Sequence, residues 1–191
     1  MKISRRIRRA VLIGLGIPLL VYLITLLLAP EVGENPWSGP ALLNVHGAGY
    51  TLGDVVWLSA KPGRLAVGDV VLVDWRRARA VEGDGPICAL REVIAVPGDT
   101  VEIRPTATEG LTLTVGHTKI QKCYFHVAAL QQSGCASVGR MTLADRQLLL
   151  LEDRVRNRLI IPARQGHIKA LVCFKVGHDP IRASMLRRRN Y

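Results

Sequence analysis

Aromatic side chains are scarce in this sequence: three Trp, four Tyr and two Phe among 191 residues. They are too few to interleave with the basic runs as base-stacking platforms, so the net charge of +11 does not point to nucleic acid. Cysteine is limited to Cys88, Cys123, Cys135 and Cys173, with no CxxC pair and no HxxxH spacing, so neither a metal centre nor a cofactor is expected. His46, His117, His126, His167 and His178 are scattered, none at catalytic spacing from an acid, and read as surface or core residues. No internal repeat is present, which leaves out solenoids. Acidic residues are missing from the first thirty positions; the first is Glu31.

What is present begins with a charge-free run, Ala10 to Ala29 (AVLIGLGIPLLVYLITLLLA), about the length of helix that crosses a bilayer. Lys2, Arg5, Arg6, Arg8 and Arg9 precede it, a bias that keeps the N-terminus cytoplasmic and places the rest of the chain outside. The expected organisation is a basic tip (1–9), a transmembrane helix (10–29), a linker (30–44) rich in Pro and Gly, one domain (45–180) and a solvated basic tail (181–191). All four cysteines follow the membrane run, so two disulfides in an oxidising compartment are expected, with three pairings open. Cys123 with Cys135 would close a short loop, and Cys88 with Cys173 would tie a central strand to the last.

The domain alternates apolar and polar residues in short runs broken by Gly and Pro. Asp54 to Ser59 and Asp69 to Trp75 read as strands paired antiparallel around the Lys61-Pro62-Gly63 turn. Arg91 to Ile103 (REVIAVPGDTVEI) reads as strand, tight turn at Pro97-Gly98-Asp99, and strand. Leu111 to Val115 and His117 to Lys122 form a hairpin across Gly116; Gln147 to Leu151, Arg158 to Ile161 and Gly166 to Val176 complete the set. Residues 122–140 are poorly patterned. The fold class is mainly β, with closed or sandwiched antiparallel sheets.

Several of these segments, in this order, resemble the signal peptidase I superfamily: the basic tip and single span, the strand Gly68 to Val73, the Arg91 to Ile103 box, the hairpin around Gly116, and Pro162 to Lys169 (PARQGHIK). Thr142 to Asp153 (TLADRQLLLLED) and the IPARQGHIKALV ending look most like the TraF branch that matures conjugative pilin. The resemblance implies a signal-peptidase-like β domain in the periplasm, anchored in a bacterial inner membrane. Its implied substrate is an exported pilin-like precursor, and its implied partners are conjugation or type IV secretion machinery.

In that family a serine attacks the scissile carbonyl and an uncharged lysine takes its proton. Lowering a lysine pKa from about 10.4 to 7 costs roughly 4 to 5 kcal/mol, which burial can supply. Here the lysine position is Arg91. Neutralising a guanidinium at pH 7 costs at least roughly 7 kcal/mol, so Arg91 is no general base. A carboxylate, Glu92 or Asp99, is its expected partner, and a bound peptide carboxylate is the functional alternative. No register places serine at the nucleophile position, which falls on Tyr50 or Thr51, or on Val45 or Gly47. Glu152-Asp153-Arg154 stands where the family carries a Gly-Asp-Asn and Ser-x-Asp-Ser-Arg box.

The leading expectation is therefore a peptide-binding protein in which catalysis is lost or weak. An active endopeptidase using Ser38, in a Ser-x-Pro segment, or Thr51 is the second, and a structural piece of a secretion channel is the third.

Overall fold

The computed structural model describes residues 5–32, 38–45, 47–60, 62–74, 88–105, 111–125, 139–154 and 157–189. The side chains of 5–13, 15, 74, 105, 121–125, 153–154, 157–159 and 189 lie outside that description. The chain is mainly β, as its short alternating runs predict. A helix, α1 (Arg5–Leu28), is followed by β1 (Gly39–Leu42), β2 (Asp54–Ser59), β3 (Val70–Asp74), β4 (Cys88–Ala95), β5 (Thr100–Pro105) and β6 (Leu111–Val115). Then come β7 (Thr118–Phe125), β8 (Gly139–Thr142), β9 (Gln147–Arg154), β10 (Asn157–Arg164), a 3-10 turn (Gln165–His167), β11 (Ile168–His178) and α2 (Pro180–Arg189).

The strands form one hydrogen-bonded series, β1-β2-β11-β3-β4-β9-β10-β7-β6-β5-β8. Its neighbours are antiparallel except β10 and β7, which run parallel. One expected pairing is corrected by this order. β2 and β3 do not pair with each other; β11 lies between them, bonding β2 on one side and β3 on the other. Nor do the strands flanking Pro97-Gly98-Asp99 form a hairpin: β4 bonds β3 and β9, while β5 bonds β6 and β8. The turn is a corner between two parts of the ladder. Asp99 closes it by accepting the Val96 N–H at 2.8 Å, and the exchange of Gly98 N–H to the Leu143 carbonyl and Leu143 N–H to the Asp99 carbonyl ties it to the end of β8.

That corner folds β5, β6 and β7 back over β4, β9 and β10, so Ile94, Val101, Ile103, Leu113, Ile120, Leu149 and Ile160 share one core. The arrangement is sandwiched; among the described strands the series does not close on itself. The other end carries two cores, one around Leu43, Val56, Leu58, Leu72 and Leu90, the second around Val71, Val73, Val93, Leu148, Leu150 and Ile161. β3 and β4 therefore bury both faces, which is why Cys88 to Ala95 reads as an apolar run interrupted only by Arg91 and Glu92, of which Arg91 is buried.

Two segments depart from expectation. Residues 30–44 are not only linker: Gly39 to Leu42 is an edge strand on β2, where Pro40 is tolerated because an edge position can do without its missing N–H. Residues 181–191 are not only tail: α2 is capped by Asp179, whose Oδ1 accepts Ile181 N–H and Arg182 N–H at 3.1 and 3.0 Å, with Pro180 in the first turn. α2 buries Ala183 and Leu186 against Ala29, Leu42 and Val55.

Gly53 is the close contact that admits α2. Its φ is +85°, and a Cβ there would lie 2.4 Å from the Ala183 Cβ and 2.8 Å from the Asp179 carbonyl oxygen. Gly53→Ala is expected to cost about 2 kcal/mol through the left-handed backbone and the displaced helix, measurable as a lowered Tm with α2 amides exchanging faster.

α1 packs by its last turns on β11, where Leu26 and the Tyr22 hydroxyl approach Gly177. Among the described residues no helix is long and apolar enough to cross a membrane.

One of the three pairings left open, Cys88 with Cys173, is excluded by register. Cys88 faces Asp74 at one end of β3, while Val172 faces Val70 at its other end, on the far side of that strand. The two cysteines are thus two strands and several residues apart, well beyond the roughly 7 Å that a disulfide spans. Cys88 is buried and Cys173 exposed. The Cys123 side chain and Cys135 lie outside the described residues.

Candidate functional site

β4 places Arg91 in the middle of the ladder, on the same face as Val93 and opposite Val71 of β3. In the β4 and β9 pairing Glu92 faces Leu151, so the next position along brings Glu152 beside Arg91. The Arg91 Nη2 to Glu152 Oε1 distance is 2.9 Å, and both side chains are nearly buried, 7% and 11% exposed. Arg91 Nη1 also donates to the carbonyl of Leu90. The carboxylate partner is therefore Glu152; of the two partners expected from sequence, Asp99 closes the corner turn and Glu92 points to the opposite face.

The loop between β1 and β2 covers this pair. Gly47 and Tyr50 exchange backbone hydrogen bonds of 3.1 and 2.9 Å, and Val45 and Tyr50 pack on the core around Leu90. A Cβ on Gly47 would stand 2.8 Å from the Leu90 carbonyl oxygen and 3.6 Å from Arg91 Nη1. Of the four residues that sequence registers place at the nucleophile position, Gly47 is brought against the guanidinium. It has no hydroxyl, and the close backbone leaves no room for one. His46, next to it, lies outside the described residues.

The two hydroxyl candidates are engaged elsewhere. Ser38 precedes the edge strand β1, and its Oγ accepts the Ala60 N–H at 3.1 Å. Thr51 is exposed, and its backbone N–H donates to Asp54 Oδ2 at 3.0 Å. Among the described residues neither is hydrogen-bonded to a lysine or histidine; Lys61 lies outside them.

A second charged cluster escaped the sequence reading. Asp54, 1% exposed, accepts Lys175 Nζ and bonds His178 Nδ1, each at 2.8 Å. Burial alone would raise its pKa, but the hydrogen bonds from Lys175, the Thr51 amide and His178 outweigh it and hold the carboxyl below its usual value. His178 lies 124 residues from Asp54, so spacing along the chain could not reveal the pair. Of the other histidines, His117 sits on the exposed β6–β7 turn, and the Nδ1 of His167 accepts the Arg164 N–H at 3.3 Å. Among the described residues no group of three His, Cys, Asp or Glu could hold a metal ion.

No protein-family model, curated protein or solved structure matches this chain. The chemistry must be read from the site itself. An arginine locked to a glutamate carries a fixed positive charge and takes no proton from a nucleophile. What such a site can do is hold an anionic or carbonyl group of a partner, or stiffen the sheet.

Proposed function

We propose that this protein is a membrane-anchored relative of signal peptidase I, of the TraF type, that binds an exported pilin-like precursor and does not cut it. The observation that carries this reading is the juxtaposition of Arg91, paired with Glu152, and Gly47. In an active relative these places would hold the amine and the hydroxyl of a serine and lysine dyad. Glu152 favours the cation further, which adds to the roughly 7 kcal/mol that already opposes a neutral guanidinium.

In this reading the anchor is α1; its charge-free run and the basic residues before it support a β domain on the periplasmic side of a bacterial inner membrane. The precursor binds as an extended segment added to a sheet edge, the mode that needs least side-chain chemistry. Conjugation or type IV secretion machinery is the setting in which such a holder acts.

Incubating the purified chain with its candidate pilin precursor tests this by mass spectrometry and crosslinking. The expected outcome is an intact precursor crosslinked to the β domain. A new N-terminus that disappears on Ser38→Ala or Thr51→Ala would establish an endopeptidase instead, and crosslinks to channel subunits alone would leave a structural piece.

A further inference from the structure

α2 is fixed to the end of α1. Arg182 Nη1 donates to the carbonyl oxygens of Ala29 and Leu27 at 2.7 and 3.4 Å, satisfying groups that a helix end leaves open. One side of α2 is buried through Ala183 and Leu186. The other carries Ile181 and Met185, four residues apart and 66% and 56% exposed, with exposed Arg188 three residues beyond Met185 on the same face. Leu27 and Leu28 at the α1 end are 64% and 75% exposed. Asp179, the acid at the start of α2, is 7% exposed and occupied as its cap. The outward face thus combines apolar side chains with positive charge.

We propose that this face of α2 seats on an anionic phospholipid surface. The proposal rests on α1 being the membrane anchor, since Arg182 ties α2 to the point at which α1 would leave the bilayer. Ile181 and Met185 enter the boundary between headgroups and acyl chains, while Arg188, on the same face, reaches anionic headgroups. Charge complementarity selects lipid over a second copy of this chain, because two such faces would bring arginines together.

Full-length chain carrying Met185→Trp, with Trp37, Trp57 and Trp75 replaced by Phe, reports the docking when mixed with vesicles of brominated phospholipid. With phosphatidylglycerol present its emission is quenched, and in phosphatidylcholine alone the quenching is weaker. Arg188→Gln lowers the ratio of docked to undocked α2 by roughly fivefold, and Arg187→Gln, turned away from that face, lowers it less. Emission left unquenched in both lipids overturns the proposal. So does quenching of equal strength in both that ignores the arginine variants. If the tryptophan-free background does not fold, amide exchange over 181–188 in the unaltered chain decides instead: exchange slowed by phosphatidylglycerol supports the docking, and unchanged exchange overturns it.

Alkaline carbonate extraction of the same vesicles reads the anchor separately. A chain that washes off yet is quenched keeps the α2 docking and refutes the anchor. One that stays and is unquenched does the reverse.

Discussion

Glu152→Ala is expected to destabilise the protein by about 3 to 5 kcal/mol, because it strands the Arg91 guanidinium in a nearly buried position with its counter-charge removed. The double replacement Arg91→Met with Glu152→Leu is expected to recover most of that loss, since apolar side chains of similar volume fit beside Val71, Val93 and Leu150 without desolvating charge. Urea titration of the two variants checks this, and the decisive quantity is the coupling between the sites, not either single change. If Glu152→Ala cost under about 1 kcal/mol, the pair would be a solvated contact and the fixed charge assigned to the site would be in error.

Asp54→Ala is expected to cost about 3 kcal/mol near neutral pH. It removes a buried acceptor of three hydrogen bonds; Lys175 and His178 are partly exposed and can return to water, so the sum of three charge-assisted bonds is discounted accordingly. The sign of the pH dependence follows from the lowered carboxyl pKa. Asp54 holds fewer protons folded than unfolded, so its contribution is complete above its ordinary value of 3.8 and is lost as pH falls through the lower folded value. The stability gap between wild type and Asp54→Ala should therefore be constant from pH 7 to about 5 and close only in more acidic solution. A gap already closed at pH 5 would refute the lowered carboxyl pKa of Asp54.

Local pattern carried much of this fold. Asp54 to Ser59 and Leu111 to Val115 are strands with the bounds their alternation implies, and Gly116 turns the expected tight hairpin between β6 and β7. Pairing was legible only at that range. Nothing in residues 54–75 indicates that β11 enters between β2 and β3, because the selection is made by burial across more than a hundred residues.

The site divides the same way. Arg91 stands out as a charge inside an apolar run. Glu152 was visible only as part of a reduced motif, since its meeting with Arg91 depends on the β4 and β9 register. α2 had a signal that the run of arginines obscured: Asp179-Pro180 is a helix start, and Ala183 and Leu186 are three apart on one face. Cys88 and Cys173 show the converse, a plausible pairing that the register forbids.

The position of β11 bears on how the chain acquires its structure. Until residues 168–178 have been synthesised, β2 and β3 lack the strand that joins them, so the early half of the ladder offers two open edges to any neighbouring chain. Closure is consequently a late, long-range event, of the kind associated with slow folding and a long window for intermolecular pairing.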